Sequence, residues 1–426
     1  MTTPEQNQLL TRTGRGTAMG NLFRRYWIPA LLASEVATPD CPPVRVKLLS
    51  EKLLAFRDTQ GRLGLIDEFC AHRRVSLWFG RNEESGLRCP YHGWKYDVNG
   101  QCLEIPSEPD ESKLAASVKL VSYPCVELGG VVWAYLGPPQ DKPPLPEFEW
   151  ALVPESHRYI SRREQESNYL QAMEGGIDSS HVSWLHSGEL KTDPLHVGTK
   201  GAQHIANRKP VFELQKSGGG LVIGAKRPAD GGQAYWRITQ WIMPWYTMIP
   251  PYGDNALRGH AWVPIDDENC ITWNWAHHPA RPLTTAEMHA MENEDGAFAA
   301  MIPGTFKAVA NKGNDYMMDR EGQKSGRYYS GIKGIAMQDS SLQESMGAIV
   351  DRSLERLVAT DVAIVKARRR LLDAATALQG SGVAPPGLDP ATHRVRSASF
   401  VGAPKLDFAE LQASLAATAG SHPTSI

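Results

Sequence analysis

Between residues 43 and 137 the apolar positions fall in short runs with no helical period: VRVKLLS, LLAFRD, LGLID, YDVNGQCLEI and GVVWAYLG. Runs of this length, rich in Val, Leu and aromatic residues and bounded by Gly, Asp and Asn, predict strands. Asn99-Gly100 after YDV predicts a two-residue hairpin turn. Residues 136–150, LGPPQDKPPLPEFEW, are too rich in proline for a helix or a central strand and predict a domain boundary. Beyond it, residues 211–278 hold a second series of strand-like runs, GGLVIGAK, YWRITQWIMPWYTMIP, RGHAWVPI and CITWNWAHH. Asp266-Asp267-Glu268-Asn269 predicts the turn between the last two. After residue 280 the pattern turns helical, with Leu354, Leu357, Val358, Val362 and Val365 on one expected face and Arg368, Arg369 and Arg370 following. The expectation is an α+β chain, with a β-rich domain at 1–140 and a larger domain at 141–426.

Composition narrows the partners. The 426 residues are 42% hydrophobic and 22% charged, enough to build two cores without staples. A formal net charge of −2 supplies no electrostatic reason for a nucleic-acid or anionic-membrane partner. No uninterrupted apolar run reaches membrane-spanning length, and the polar start MTTPEQNQLL lacks a signal pattern, so a cytoplasmic protein is expected. The six cysteines are too scattered for a disulfide framework. Cys41, Cys102, Cys125 and Cys270 have no partner at ligand spacing and are expected to be mostly buried apolar residues.

Cys70 and Cys89 differ from the other four. Cys70-x-His72, sixteen residues, then Cys89-x2-His92 gives two clips of one thiol and one imidazole each. A zinc finger usually pairs its cysteines and pairs its histidines. One Cys and one His per clip suits a [2Fe–2S] cluster with Cys70 and Cys89 on one iron and His72 and His92 on the other. Neutral imidazoles in place of two thiolates raise the potential. Arg73 and Arg74 belong to the first clip, and Pro90, Gly93 and Trp94 flank the second. The pattern resembles a Rieske iron–sulfur domain.

A second constellation follows in NYLQAMEGGIDSSHVSWLH, residues 168–186. Asp178, His181 and His186 offer a carboxylate and two imidazoles, the donor types of a non-haem Fe(II) facial triad. The plain alternative is an amphipathic helix with packing histidines. His181 and His186 are five apart, about 140° around an ideal helix, so convergence on one metal requires a π-type turn or a helix break between them. The spacing D-x2-H-x4-H, beside the cluster motif, resembles the Rieske non-haem iron ring-hydroxylating oxygenases. GTAMGNLFRRYWIPA and QDSSLQESMGAIVDR resemble the phthalate dioxygenase branch.

That resemblance implies a helix-grip catalytic domain, a curved antiparallel sheet around a helix, and cofactors of one Rieske [2Fe–2S] cluster and one Fe(II). It makes His181 and His186 iron ligands with a third from the C-terminal part. Asp339 in Gln-Asp-x4-Glu fits better than Asp351 or Asp361; its alternative role is helix capping near Ser341-x-x-Glu344. The resemblance makes Asp178 a bridge for electrons between His181 and His92 of a neighbouring chain. It implies a homo-oligomer, a trimer or stacked trimers. It also implies a separate NAD(P)H-dependent flavin and iron–sulfur reductase, and O2 with an aromatic carboxylate as substrates. A carboxylate calls for a guanidinium, and Arg208, Arg227 and Arg237 are candidates, each alternatively a solvated strand-edge charge. The aromatics Tyr235, Trp236, Trp241, Trp245, Tyr246, Trp262, Trp273 and Trp275 are expected in core and pocket. The expected reaction is dioxygenation of a phthalate-type acid to a cis-dihydrodiol. A monooxygenase or O-demethylase, or a dioxygenase of isophthalate, a chlorobenzoate or a phenoxybenzoate, is the nearest alternative. A bare Rieske electron carrier or a zinc scaffold stands further off.

Overall fold

The computed structural model describes residues 2–109, 111–188, 207–251, 253, 255–292 and 298–417. They fall into two compact units, Thr13–Pro143 and Met1–Arg12 with Pro144–Ile426.

The smaller unit is built from three antiparallel sheets. One is β1 (Trp27–Leu32), β10 (Val131–Tyr135) and β9 (Cys125–Leu128). The second is β2 (Val44–Leu48), β3 (Glu51–Arg57) and β4 (Leu63–Asp67), and the third is β5 (Arg81–Glu83), β6 (Gly86–Arg88), β7 (Lys95–Tyr96) and β8 (Cys102–Glu104). Leu54, Phe56, Ile66, Leu77, Leu87 and Tyr96 pack into one core with Cys70 and Cys89. The β7–β8 hairpin forms, but its loop runs from Asp97 to Gln101 and is longer than the two residues expected at Asn99-Gly100. Oδ1 of Asp97 accepts the N–H groups of Asn99 and Gln101, so an Asx turn replaces the tight turn, and Gly100 takes the left-handed φ of 76°.

In the larger unit, an eight-stranded antiparallel sheet runs β11–β17–β16–β15–β14–β13–β12. The strands are β11 (Arg158–Gln165), β12 (Val211–Lys216), β13 (Gly220–Pro228), β14 (Ala234–Ile242), β15 (Tyr246–Ile249), β16 (Leu257–Pro264) and β17 (Cys270–His277), and β18 (Ala398–Gly402) joins β14. The long run from Tyr235 breaks at Met243-Pro244 into β14 and β15. The expected β16–β17 turn is present, with Oδ1 of Asp266 accepting from the N–H groups of Glu268 and Asn269. Every residue of β14 is buried, so both sheet faces are covered. Trp236 and Ile238 pack on one side with Leu411 and Leu415, whereas Arg237, Thr239 and Trp241 alternate to the other. All eight predicted core aromatics are buried.

Helices α1 (Pro4–Thr11), α2 (Tyr169–Ile177), α3 (Ile335–Ser345) and α4 (Val362–Ser381) complete the part that matters for the site. Helix α1 belongs to the larger unit because Asn7 bonds Val350 and Arg352, while Leu10 O accepts the Tyr169 hydroxyl. The expected apolar face on Leu354–Val365 is corrected. Leu354 and Val358 are 74% and 65% exposed and precede the helix. The buried face of α4 instead carries Ala363, Ala367, Ala374 and Ala375, small residues that permit close packing, together with Leu371 and Arg368. Arg368 is buried because Glu174 and Glu355 both hold its guanidinium. Among the described residues no helix is long and apolar enough to cross a membrane.

Candidate metal centres and active-site cavity

The two cysteine–histidine clips share one backbone design. In the first, Cys70 N–H donates to Val75 O and Arg74 N–H to Cys70 O; in the second, Cys89 N–H donates to Trp94 O and Gly93 N–H to Cys89 O. The left-handed residue stands at the same place in each, Arg74 at φ 58° and Gly93 at φ 77°. Glycine takes that conformation without strain, whereas in the first clip a side-chain-bearing residue, Arg74, adopts it. The thiols of Cys70 and Cys89 are 1% and 2% exposed, while the imidazoles of His72 and His92 sit outward, ring centres 4.5 Å apart. Trp94 stacks on His72 at 5.0 Å and 4°. The Tyr96 hydroxyl lies 3.2 Å from Cys70 Sγ and accepts the Ala71 N–H. Burial, and after it the neighbouring Cys70, raises the Cys89 thiol pKa. Two inner sulfurs and two outer imidazoles fit a cluster with unlike irons.

The second site depends on a helix break. Helix α2 stops at Ile177, and Asp178 turns extended (φ −86°, ψ 104°) with Oδ1 accepting the Ser180 N–H at 2.7 Å. A short 3-10 turn, His181–Ser183, follows, and Leu185 N–H bonds His181 O at 2.8 Å. The break, not a π-turn, brings His181 and His186 together, with Nε2 atoms 3.1 Å apart. Asp339 Oδ1 lies 3.5 Å from Nε2 of His181 and 3.2 Å from Nε2 of His186. A metal about 2.1 Å from each donor would meet these three at adjacent corners of one coordination face.

Both imidazoles are held by their other nitrogen. Gln338 Nε2 donates to Ile332 O at 2.9 Å, so its Oε1 faces His186 Nδ1 at 2.7 Å and can only accept. His186 therefore carries a proton on Nδ1, and Nε2 is the nitrogen turned to the site. Asp178 Oδ2 stands 3.5 Å from His181 Nδ1. Burial opposes charge on His181, but Asp178 and Asp339 together outweigh it and raise the pKa. Burial alone would likewise raise the Asp339 carboxyl, yet His186 and His181 hold it at about 2, so it is an anion at neutral pH.

Asp339 is mid-helix in α3, and Ser341 Oγ donates back to Gln338 O, so no capping box forms there. Asp351 is exposed and bonds Ser353, while Asp361 accepts from Val358 N–H; neither approaches the histidines. Two glycines let α2 press against its neighbours. A Cβ on Gly175 would lie 2.2 Å from Gln343 Nε2, and one on Gly176 2.3 Å from the Trp262 ring.

A cavity of about 130 Å³ opens beside the three donors, walled by Thr239, Trp262 and Asn274, with Arg163, Arg237 and Arg258 among its lining. Of the three candidate arginines only Arg237 lines it. Arg227 is fully buried under the metal-site turn, donating to Ser179 O, Ser183 Oγ and Asn207 O. Arg208 is exposed, 3.7 Å above the Trp184 ring. The sequence offered no signal for Gln338, Arg163 or His260. Burial holds His260 at about 4, hence neutral, and its Nδ1 meets Asn274 Oδ1 at 2.8 Å.

Residues 26–124 match the family of the Rieske [2Fe-2S] domain, and residues 134–421 match the family described as LigXa C-terminal domain like. The chain is 38% identical over 408 residues to the 3-chlorobenzoate-3,4-dioxygenase oxygenase subunit of Comamonas testosteroni, covering 92% of this chain and 93% of the relative. It is 40% identical over 395 residues to the phthalate 4,5-dioxygenase oxygenase subunit of Pseudomonas putida, covering 89% and 87%. The fold matches the crystal structure of dicamba monooxygenase bound to dicamba, with a TM-score of 0.58, 18% identity, and coverage of 84% of this chain and 98% of that one. With a Rieske domain in front and this catalytic domain behind, the chain belongs to the Rieske non-haem iron aromatic ring-hydroxylating oxygenases.

Proposed function

We propose that this oxygenase adds both atoms of O2 to an aromatic carboxylate of the phthalate type, giving a cis-dihydrodiol. The observation that carries the reading is the cavity that joins the His181, His186 and Asp339 donor set to arginine side chains. Its volume, about 130 Å³, is close to the ~150 Å³ that accepts benzene, which favours a single ring. The iron that His181, His186 and Asp339 would hold supplies O2 activation, and the cluster that Cys70, Cys89, His72 and His92 would hold supplies electrons singly.

The chain's own residues place and enclose the substrate. The arginine side of the cavity wall offers a guanidinium to a carboxylate, and Trp262 and Ile249 face the ring. Gln338 and Asp178 fix the protons of His186 and His181 on Nδ1. We propose also that Asp178, whose side chain is 22% exposed, faces the cluster histidine of a second copy in a homo-oligomer. The chain would work in the cytoplasm with a separate NAD(P)H-dependent reductase.

Purified protein supplied with such a reductase, NADH, phthalate or 3-chlorobenzoate and 18O2 tests the reading. Two labelled oxygens in one diol support it. One labelled oxygen in a ring hydroxyl points to the monooxygenase reading; the O-demethylase reading, which has a relative in the 5,5'-dehydrodivanillate O-demethylase oxygenase subunit at 30% identity, needs a methoxylated acid and sends its labelled oxygen into formaldehyde.

A further inference from the structure

Adjacent arginines on β11 have opposite fates. Arg162 points away from the cavity and stacks on Phe306 and Trp273, at 3.9 and 5.8 Å. Arg163 pairs across β17 with Thr272 and lies on the face that carries Thr272, Asn274, His260 and Trp262, all cavity-lining residues. It is 4% exposed. The one side-chain hydrogen bond it makes among the described residues, 3.5 Å to Gln165 Oε1, is long and weak, and that oxygen already accepts the Thr272 hydroxyl at 2.9 Å. Among the described residues, Arg163 Nε is buried with no acceptor and no carboxylate stands within ion-pair distance of the guanidinium.

Two acidic groups lie in its field, Glu344 and Asp339. Glu344 already accepts the Glu166 N–H and the Tyr316 hydroxyl, and Asp339 is committed to the two histidines. Burial lowers the Arg163 pKa, the mark of a cation removed from water without adequate compensation. Arg237 and Arg258 line the same cavity but are engaged in other contacts. A buried guanidinium without a partner is costly. Its cost falls when an anion enters the cavity.

We propose that Arg163 is the anion anchor of the active-site cavity, receiving the carboxylate of the aromatic substrate from the β11 side. The inference rests on the aromatic-acid reading above and makes it more specific. Charge-assisted hydrogen bonds of this kind change affinity by roughly ten- to a hundredfold.

The test is calorimetric binding of phthalate, 3-chlorobenzoate and their methyl esters to the iron-loaded full chain and its R163M and R163K variants, with thermal unfolding of each. The expected result is that R163M weakens both acids roughly ten- to a hundredfold and leaves the esters within about threefold, while R163K recovers part of the loss. Methionine removes an uncompensated charge, so unliganded R163M should unfold no earlier than the wild type. Unchanged acid binding by R163M overturns the anchor role and leaves the aromatic-acid reading standing. Equal loss of acid and ester with a lower unfolding temperature overturns it in favour of a structural role. A wild type that binds neither acid nor ester overturns both.

Discussion

Gly176 lies where α2 packs against Trp262 of the sheet, one residue before the helix ends, and G176A probes that contact directly. The new Cβ would stand 2.3 and 2.8 Å from Cη2 and Cζ3 of Trp262 and 3.2 Å from Thr247 Oγ1. Carbon atoms ordinarily meet at about 3.5–4.0 Å, so α2 or the indole must recede by about 1.2 Å or more. Overpacking of this size costs about 1–3 kcal/mol. Alanine returns about 0.5–1 kcal/mol of helix propensity. The net expectation is a loss of about 1–2 kcal/mol. Because α2 ends at the next residue, the shift reaches Asp178 and His181, and a displacement near 1 Å corresponds to about a hundredfold in kcat. Thermal unfolding with substrate-dependent O2 uptake measures both effects. W262F removes the outer ring atoms and should relieve the clash, so G176A/W262F should be more stable than the two single losses sum to. If G176A gains stability as an open helix glycine would, and keeps its rate, the packing argument is refuted.

Three further outcomes follow from named contacts. Q338L deprives His186 Nδ1 of its acceptor and Ile332 O of its donor, and should weaken Fe(II) binding about 10- to 100-fold by direct titration, with the Rieske EPR signal unchanged. R227M strands the carbonyls of Ser179 and Asn207 under the metal-site turn; it should lower the unfolding temperature and the mononuclear iron content without altering preference among aromatic acids. Glu149, whose burial is outweighed by Arg396 and His277, is held at about 2 against an ordinary 4.5. Its contribution, about 3 kcal/mol, is complete above the unfolded value and is lost as pH falls from 4.5 towards 2. E149Q should therefore show lower stability at neutral pH and a shallower decline in that acid range, read from urea midpoints at stepped pH.

What could be read in advance was local. The cluster clips keep ligands and turn residues within a few positions, and the five-residue gap between His181 and His186 already rules out a straight helix through both. Asp339 is remote in sequence, and family likeness alone singled it out from Asp351 and Asp361. The buried face of α4 was misplaced because alanines at Ala363, Ala367 and Ala374 carry little hydropathy, whereas Leu354 and Val358 carry much and lie exposed. The arginines defeated sequence reasoning for a different reason. Arg227 and Arg237 share a sheet face, yet only Arg237 borders the cavity, because the 178–183 turn covers Arg227. Arg162 and Arg163 differ only in the side of β11 they occupy. Gln338 looks like an ordinary helix residue until Ile332 O fixes its amide.

The central claim is that one chain holds two separate iron centres, with His181, His186 and Asp339 on the one that meets substrate. Iron content measured together with the Rieske EPR signal in the wild type and D339N tests it most directly. The account predicts about three irons per chain in the wild type and about two in D339N, with the EPR signal of the reduced cluster intact and O2 uptake abolished. A D339N protein that keeps all its iron and its substrate-dependent O2 uptake would contradict it.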